Sequence, residues 1–458
     1  MKSYNLTKRI LGSILAILLS TTSCKKQDAF LAAIPNQSLK VPQSLNDLQL
    51  ILQDDRVFNN SDPGLGLANS EDYYVTDAFF LSMNFVSQNE YVWAKNPYPN
   101  TDVDGWIGPY QAIYYANVVL DNLSKFDQES LNQAGAIKGA ALFFRSWAFF
   151  NLLQTFSLPY DSRSSNQDLG ILLRLSSDLN KKYPRSTIQQ CYDQIIQDVS
   201  TSLNLLPSTT INSTLPNKTA ANAFLARIYL SMSDYNNAFK YANACLTINS
   251  SITDFNGLNL TKRPISPTPL TEEIFRSDAQ FTGPIGTTSA RIVTPSFYAT
   301  YDANDLRKKV FFYTLSGNIV LFGSYDVKKN GLFTGLATDE MYLIRAECYA
   351  RMGNTSAAMT DLNNLLVKRW VTGTFTPYTA INANDALQKI LVERRKELIC
   401  RGLRWLDLRR LNKDPQFAVT LTRTVNGQTY TLPPNDPRYA MPIPDNEIQL
   451  SGIPQNQR

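Results

Sequence analysis

Residues 391–411 hold the densest run of groups able to do chemistry. The run begins Leu391-Val392-Glu393-Arg394-Arg395-Lys396-Glu397-Leu398 and continues Ile399-Cys400-Arg401-Gly402-Leu403-Arg404-Trp405. It ends Leu406-Asp407-Leu408-Arg409-Arg410-Leu411. Glu393 and Glu397, four residues apart, would share one face of a helix. Paired carboxylates serve glycoside hydrolysis, and that chemistry needs one of them kept protonated as a general acid. Here Lys396 follows Glu393 by three residues, Arg401 follows Glu397 by four, and Asp407 follows Arg404 by three. A cation within helical reach favours the charged carboxylate and works against a general acid. The spacing therefore predicts a structural brace, with the interleaved Leu398, Trp405 and Leu408 drawing the ion pairs out of water. Gly402 interrupts the run and predicts a bend or a close backbone approach.

Composition removes other chemistries. The chain of 458 residues has no histidine, which excludes Ser/His and Cys/His nucleophile pairs and nearly all zinc enzymes. Its five cysteines, Cys24, Cys191, Cys245, Cys348 and Cys400, are far apart with no C-x-x-C. Neither a metal site nor a disulfide framework is indicated, and no cofactor is expected. The last four cysteines sit in apolar helical contexts and read as small buried hydrophobes. A net charge of +5 without a basic block gives nucleic-acid binding no support.

The N-terminus has a positive head (Lys2, Lys8, Arg9) and a short apolar run from Ile10 to Leu19. Ser20-Thr21-Thr22-Ser23-Cys24 follows. The run is too short to span a bilayer and reads as a signal peptide over 1–23. A cysteine directly after small residues resembles a bacterial lipoprotein signal, with Cys24 as the lipidated first residue of the mature chain. Several acyl chains would anchor it stably. Residues 24–40 then read as a polar tether, and 41–458 as a single domain.

The elements that must position residues 391–411 are mostly helical. Apolar periodicity predicts helices over 44–52, 106–123, 133–156 and 187–206. An internal repeat follows. Ala226, Tyr229, Met232 and Ala238 align with Ala346, Tyr349, Met352 and Ala358. Each copy reads as helix, tight polar turn, helix, a pattern resembling the tetratricopeptide repeat. Such pairs must stack on neighbours to bury their apolar faces. The expected scaffold covers about 106–250 and 338–411. Loop-rich parts cover about 53–105, 253–335 and 412–458, with short β pieces such as Ile319-Val320-Leu321-Phe322. The fold class expected is mainly α: tetratricopeptide-like helix pairs with an irregular ligand-binding part.

Taken in order, these motifs resemble the SusD/RagB lipoproteins of Bacteroidetes. The residues that carry the resemblance are Glu393-Arg-Arg-Lys-Glu397-Leu, Gly402-x-Arg404-Trp405-x-Asp407-Leu408-x-Arg410 and Pro442-Ile-Pro-x-x-Glu447-Ile448. Upstream they include Trp106-x-x-x-Tyr110-x-x-Ile113-x-x-Ala116-Asn117, Arg145-x-x-Ala148 and Arg185-Ser-Thr187. The tail after Ile448 is abbreviated and the 253–335 region is short. The resemblance implies an outer-membrane lipoprotein, facing outward, that is not an enzyme. It would bind nutrient, usually an oligosaccharide, beside a partner TonB-dependent (SusC-like) transporter.

Glycan capture needs flat rings beside amides and acids. Asp72, Tyr73, Tyr74, Trp93 and Tyr98 supply both in sequence that reads as loop, and are the expected ligand-binding residues. Tyr298, Tyr301 and Tyr313 are secondary candidates. The other readings are a tetratricopeptide scaffold that binds only protein, and a surface glycoside hydrolase.

Overall fold

The repeat register explains the centre of the fold. A computed structural model describes residues 42–458 apart from 127–130, 262–265, 267, 281–282, 324 and 326–331. The signal peptide, Cys24 and the whole of the tether over 24–40 lie outside the described residues. Residues 48–458 form one compact unit, and a helix at Leu45–Leu52 lies at its start.

Among the described residues nine long helices carry the unit: α1 Asp104–Leu123, α2 Leu131–Phe156, α3 Ile188–Leu205, α4 Lys218–Ser231, α5 Tyr235–Ile248, α6 Thr338–Arg351, α7 Thr355–Leu366, α8 Ala383–Glu397 and α9 Leu403–Leu411. The two repeat copies are the hairpins α4–α5 and α6–α7, in the register that the sequence alignment predicts. Each turn uses the same device. A left-handed residue (Ser233 at φ 60°, Gly353 at φ 83°) is followed by a cap, Asp234 or Asn354. The cap side chain accepts a backbone N–H at 3.1 Å in both copies. Ala226, Ala238, Ala346 and Ala358 are fully buried, which lets the helix backbones come close.

Helix α2 is buried on nearly every side, so it shows no single apolar stripe. Its Phe143, Phe144 and Trp147 pack with Phe224 of α4 and with Phe275. Arg145 of α2 clamps its neighbours, donating to both oxygens of Asp198 on α3 at 2.8 Å and to Asn117 on α1 at 3.0 Å. A capping box of Thr187 and Gln190 opens α3.

The strands are short and pair two by two: β1 Leu169–Leu172 with β2 Arg185–Thr187, and β3 Glu273–Phe275 with β6 Leu336–Ala337. Likewise β4 Phe312–Leu315 pairs with β5 Asn318–Leu321, and β7 Leu421–Val425 with β8 Gln428–Leu432. The expected strand over 319–322 is β5. Parts expected to be loop-rich contain short helices as well, among them Leu65–Asn69, Asp77–Ser82 and Phe85–Tyr91 in the aromatic region, and Arg307–Phe311 further on. Cys191, Cys245, Cys348 and Cys400 are free and buried. No helix among the described residues is long and apolar enough to cross a membrane.

Repeat and signature are joined by charge. Glu347 of α6 accepts from Arg410 of α9 at 2.6 and 2.7 Å and from Arg351 at 2.9 Å. Burial opposes the carboxylate charge, but Arg410, Arg351 and Arg394 outweigh it and push its pKa down to about 2. The folded pKa lies below the ordinary 4.5, so this stabilisation is present above that pH and is lost as pH falls toward 2. Glu347→Gln should lower stability at neutral pH by about 3–5 kcal/mol, because it leaves Arg410 buried without its partner. Denaturant melts across pH should also show a shallower acid limb for Glu347→Gln than for the native protein.

Candidate functional site

The run at 391–411 forms two helices. Helix α8 ends at Glu397; Cys400 (φ 60°) and Gly402 (φ 73°) then reverse the chain before α9 begins. The turn ties the core together. Ile399 and Cys400 belong to an apolar cluster with Tyr73 and Phe311, and Leu398 and Leu403 to one with α6 and α7. Trp405 and Leu408 belong to a third, with Trp93 and Tyr439.

Two of the three ion pairs expected from helical spacing do not form: the helix breaks between Glu397 and Arg401, and Arg404 and Asp407, though both on α9, each take other partners. Glu393 does hold Lys396, at 2.7 Å. Glu397 instead accepts from Arg307 at 3.1 Å and from Arg369 at 2.7 Å. Arg401 turns to Asp339 on α6, at 2.8 Å. Arg404 goes to Glu71, while Asp407 accepts from Arg394 and Arg410. Arg307 completes the cluster with Asp305 (2.7 Å) and Glu393 (2.6 Å), and Arg369 with Glu272 (2.8 Å). All these groups except the more accessible Arg404–Glu71 pair lie inside the protein. Burial pushes the Glu272 carboxyl up to about 7; Arg369 pulls it back, while Asp339 and Glu397 add repulsion. Glu393 and Glu397 are each held by two cations and face no open cleft, so neither is placed to pass a proton to a ligand.

The five expected ligand-binding residues fall in different places. Asp72, Tyr73, Trp93 and Tyr98 are buried, at 4%, 2%, 2% and 1% exposure. They present no face to a ligand in this structure. The Tyr73 hydroxyl donates to Ala68 O, the Trp93 indole to Asn69 O and the Tyr98 hydroxyl to Pro442 O. The rings of Tyr73, Tyr91 and Trp93 surround the Arg423 guanidinium of β7, with centroids at 5.5, 4.0 and 4.6 Å. Arg423 donates to the carbonyls of Ala68, Ser70 and Tyr91. These rings therefore hold a buried cation of the chain itself. Tyr74 alone of the five keeps a half-buried ring, on a backbone paired with Ile292. Among the secondary candidates Tyr301 is core, whereas Tyr298 and Tyr313 are partly accessible.

An open cleft of about 440 Å³ lies on the outer side of α8 and α9. Phe297, from the apolar cluster around Tyr73, and Phe417, from the cluster around α6 and α7, both line it. Gln388 and Arg395 of α8, Arg404 of α9 and Gln416 add polar groups. The Arg395 guanidinium lies over the Phe297 ring at 4.5 Å. Glu71 accepts from Arg404 at 2.5 and 2.8 Å and lies 3.3 Å from Arg395. Burial works against the Glu71 charge, but Arg404 and Arg395 outweigh it and hold the carboxyl below its usual range. Burial drives the neighbouring Asp72 up to about 6, only partly offset by Arg395. Ring faces beside amides and guanidinium groups can bind a polar ligand that also has apolar faces. Residue type and spacing marked Asp72 as a ligand-binding candidate and Arg404 as an ion-pair partner, but nothing local marked Arg395, Phe297 or Phe417 as their neighbours in a cleft. Among the described residues no group of His, Cys, Asp or Glu could hold a metal ion.

Fold and cleft together define a helical-repeat scaffold with an accessible binding face. Two family models match the chain in order. One, SusD-like and described as starch-binding and associating with the outer membrane, covers 25–230; the SusD family (SusD/RagB) model covers 338–457. The chain belongs to the SusD family. SusD-like protein P2 of Formosa agariphila is 25% identical over 367 residues, 67% of this chain and 71% of that one. A SusD superfamily protein from Bacteroides thetaiotaomicron superposes with a TM-score of 0.72 at 22% identity, covering 91% of this chain and 100% of that chain. Surface glycan-binding protein A from Bacteroides uniformis gives 0.69 at 15% identity, covering 90% and 98%.

Two measurements follow from these placements. Tyr73→Ala and Trp93→Ala should each cost about 3–5 kcal/mol of stability, as buried aromatic truncations do, and Tyr74→Ala much less. Glu397→Gln should lower stability by about 3–5 kcal/mol by leaving Arg307 and Arg369 underpaired. Denaturant melts of the four variants check both.

Proposed function

We propose that this protein is a nutrient-binding lipoprotein of the outer membrane that captures oligosaccharide in the α8–α9 cleft and does not hydrolyse it. The observation that carries the reading is the cleft itself: two rings from separate apolar clusters with arginine and glutamine side chains between them. Membership of a family described as starch-binding supports the ligand class. The commitment of Glu393, Glu397 and Asp407 to arginine and lysine argues against turnover. Tyr74, with Tyr298 and Tyr313, extends the proposed ligand face beyond the cleft. Asp72 acts on it through Arg395.

The rest of the proposal concerns where capture leads. A helical unit without a channel of its own cannot carry ligand across a membrane. A TonB-dependent transporter is therefore the proposed partner, with the protein anchored through lipid on Cys24 and facing outward. Lys25-Lys26-Gln27-Asp28 resembles surface-export signals.

The test is calorimetric titration with oligosaccharides alongside a hydrolysis assay. Saturable binding that Phe417→Ala weakens at little cost in melting temperature, with no product released, is the expected result. Turnover by the native protein would overturn the reading. Cys24→Ala should release the protein from membranes, and the native protein should co-purify with a TonB-dependent transporter in mild detergent.

A further inference from the structure

The two arginines of the cleft have unused hydrogen-bonding capacity. Arg404 places Nε and Nη2 on the same oxygen of Glu71, and its Nη1 makes no hydrogen bond among the described residues. Arg395 is held more loosely. It lies 3.3 Å from Glu71 and 3.8 Å from Asp72 without a hydrogen bond to either, and its buried Nε has no partner. One Glu71 oxygen thus serves two guanidinium groups. The other charged groups of the lining are already engaged: Lys396 with Glu393 and Asp305, and Asp407 with Arg394 and Arg410. The guanidinium of Arg395 is also held over the Phe297 ring, 4.5 Å from its centroid.

Glu71 Oε2 and Asp72 Oδ1 are likewise buried without a hydrogen-bond partner, so neither acid uses up the arginines' donors. A planar fork of such donors beside a ring suits a carboxylate better than a hydroxyl. Guanidinium and carboxylate match in a bidentate geometry, and charge-assisted hydrogen bonds are about twice as strong as neutral ones. The apolar wall offered by Phe417, Leu391 and Val392 suits the carbon face of a pyranose ring. We propose that the cleft selects glycans carrying uronic acid residues, with the carboxylate on Arg395 and Arg404 and the sugar ring against Phe297 and Phe417. This rests on the cleft being the glycan site.

The mature, unlipidated domain is titrated with trigalacturonate and trimannuronate, with maltotriose as the neutral control of equal length. At least one acidic trisaccharide should bind more tightly than maltotriose, with affinity falling as salt rises. Arg395→Gln should weaken that binding roughly tenfold or more, the loss expected for a charge-assisted contact, with its melting temperature near the native value. Phe417→Ala, which leaves every ion pair intact, should weaken it too. Failure to bind either uronate, or binding that Arg395→Gln leaves unchanged in a folded variant, overturns the inference. If maltotriose binds more tightly and depends on Phe417, the inference falls while the glycan-binding reading stands.

Discussion

Arg307, Arg369, Glu393 and Glu397 meet where water does not reach, and the segments that supply them are far apart in the chain. Arg307 comes from a short helix before β4, Arg369 from the loop after α7, and both glutamates from α8. Arg369 adds Glu272 just before β3. Each charge is tolerable only because its opposite is in place. Uncompensated, a buried ion costs several kcal/mol. The network therefore penalises any arrangement in which one of these segments leaves, and it couples the repeat helices to the 253–335 region, which has little regular structure of its own.

Helix α8 carries two faces because of this. Glu393, Glu397 and Ile390 point inward, at helical spacing, to charge and apolar core. Gln388, Val392 and Arg395 lie on the side that lines the cleft. A rigid inner face fixes the outer one. In the proposed site Arg395 would meet a ligand already oriented, and a preorganised donor loses little entropy on binding. Glu71 extends the same logic from the other side, holding the α9 arginine in place from a segment more than three hundred residues earlier.

Much of this could be read from residue patterns, and what could not has physical reasons. The repeat was legible because Ala226, Tyr229, Met232 and Ala238 recur in register as Ala346, Tyr349, Met352 and Ala358 around a tight polar turn. That pattern is local. The partners of Glu397 were not legible, because Gly402 and Cys400 end the helix and the carboxylate then answers to Arg307 and Arg369. Tyr73, Trp93 and Tyr98 looked like exposed rings because their sequence lacks a period. A ring in irregular sequence is as easily enclosed as displayed: Tyr73 and Trp93 close around Arg423, which comes from a hairpin far along the chain, and Tyr98 donates to Pro442 O. That hairpin carried a local signal, Asn426-Gly427 between β-leaning runs, the dipeptide that favours a two-residue turn. Phe297 and Phe417 carried none, since only the fold brings them to one cleft.

The claim that the buried charges act as one unit is tested most directly by a double-mutant cycle on Arg369 and Glu397, using Arg369→Met, Glu397→Gln and the double variant in denaturant melts. Each single change removes one of the two partners of the remaining charge, and the double change removes both members of that pair. The account predicts a coupling energy of about 1–3 kcal/mol, with the double variant more stable than the sum of the single losses implies. Additive losses would contradict it, and would mean that the two side chains stabilise the fold independently.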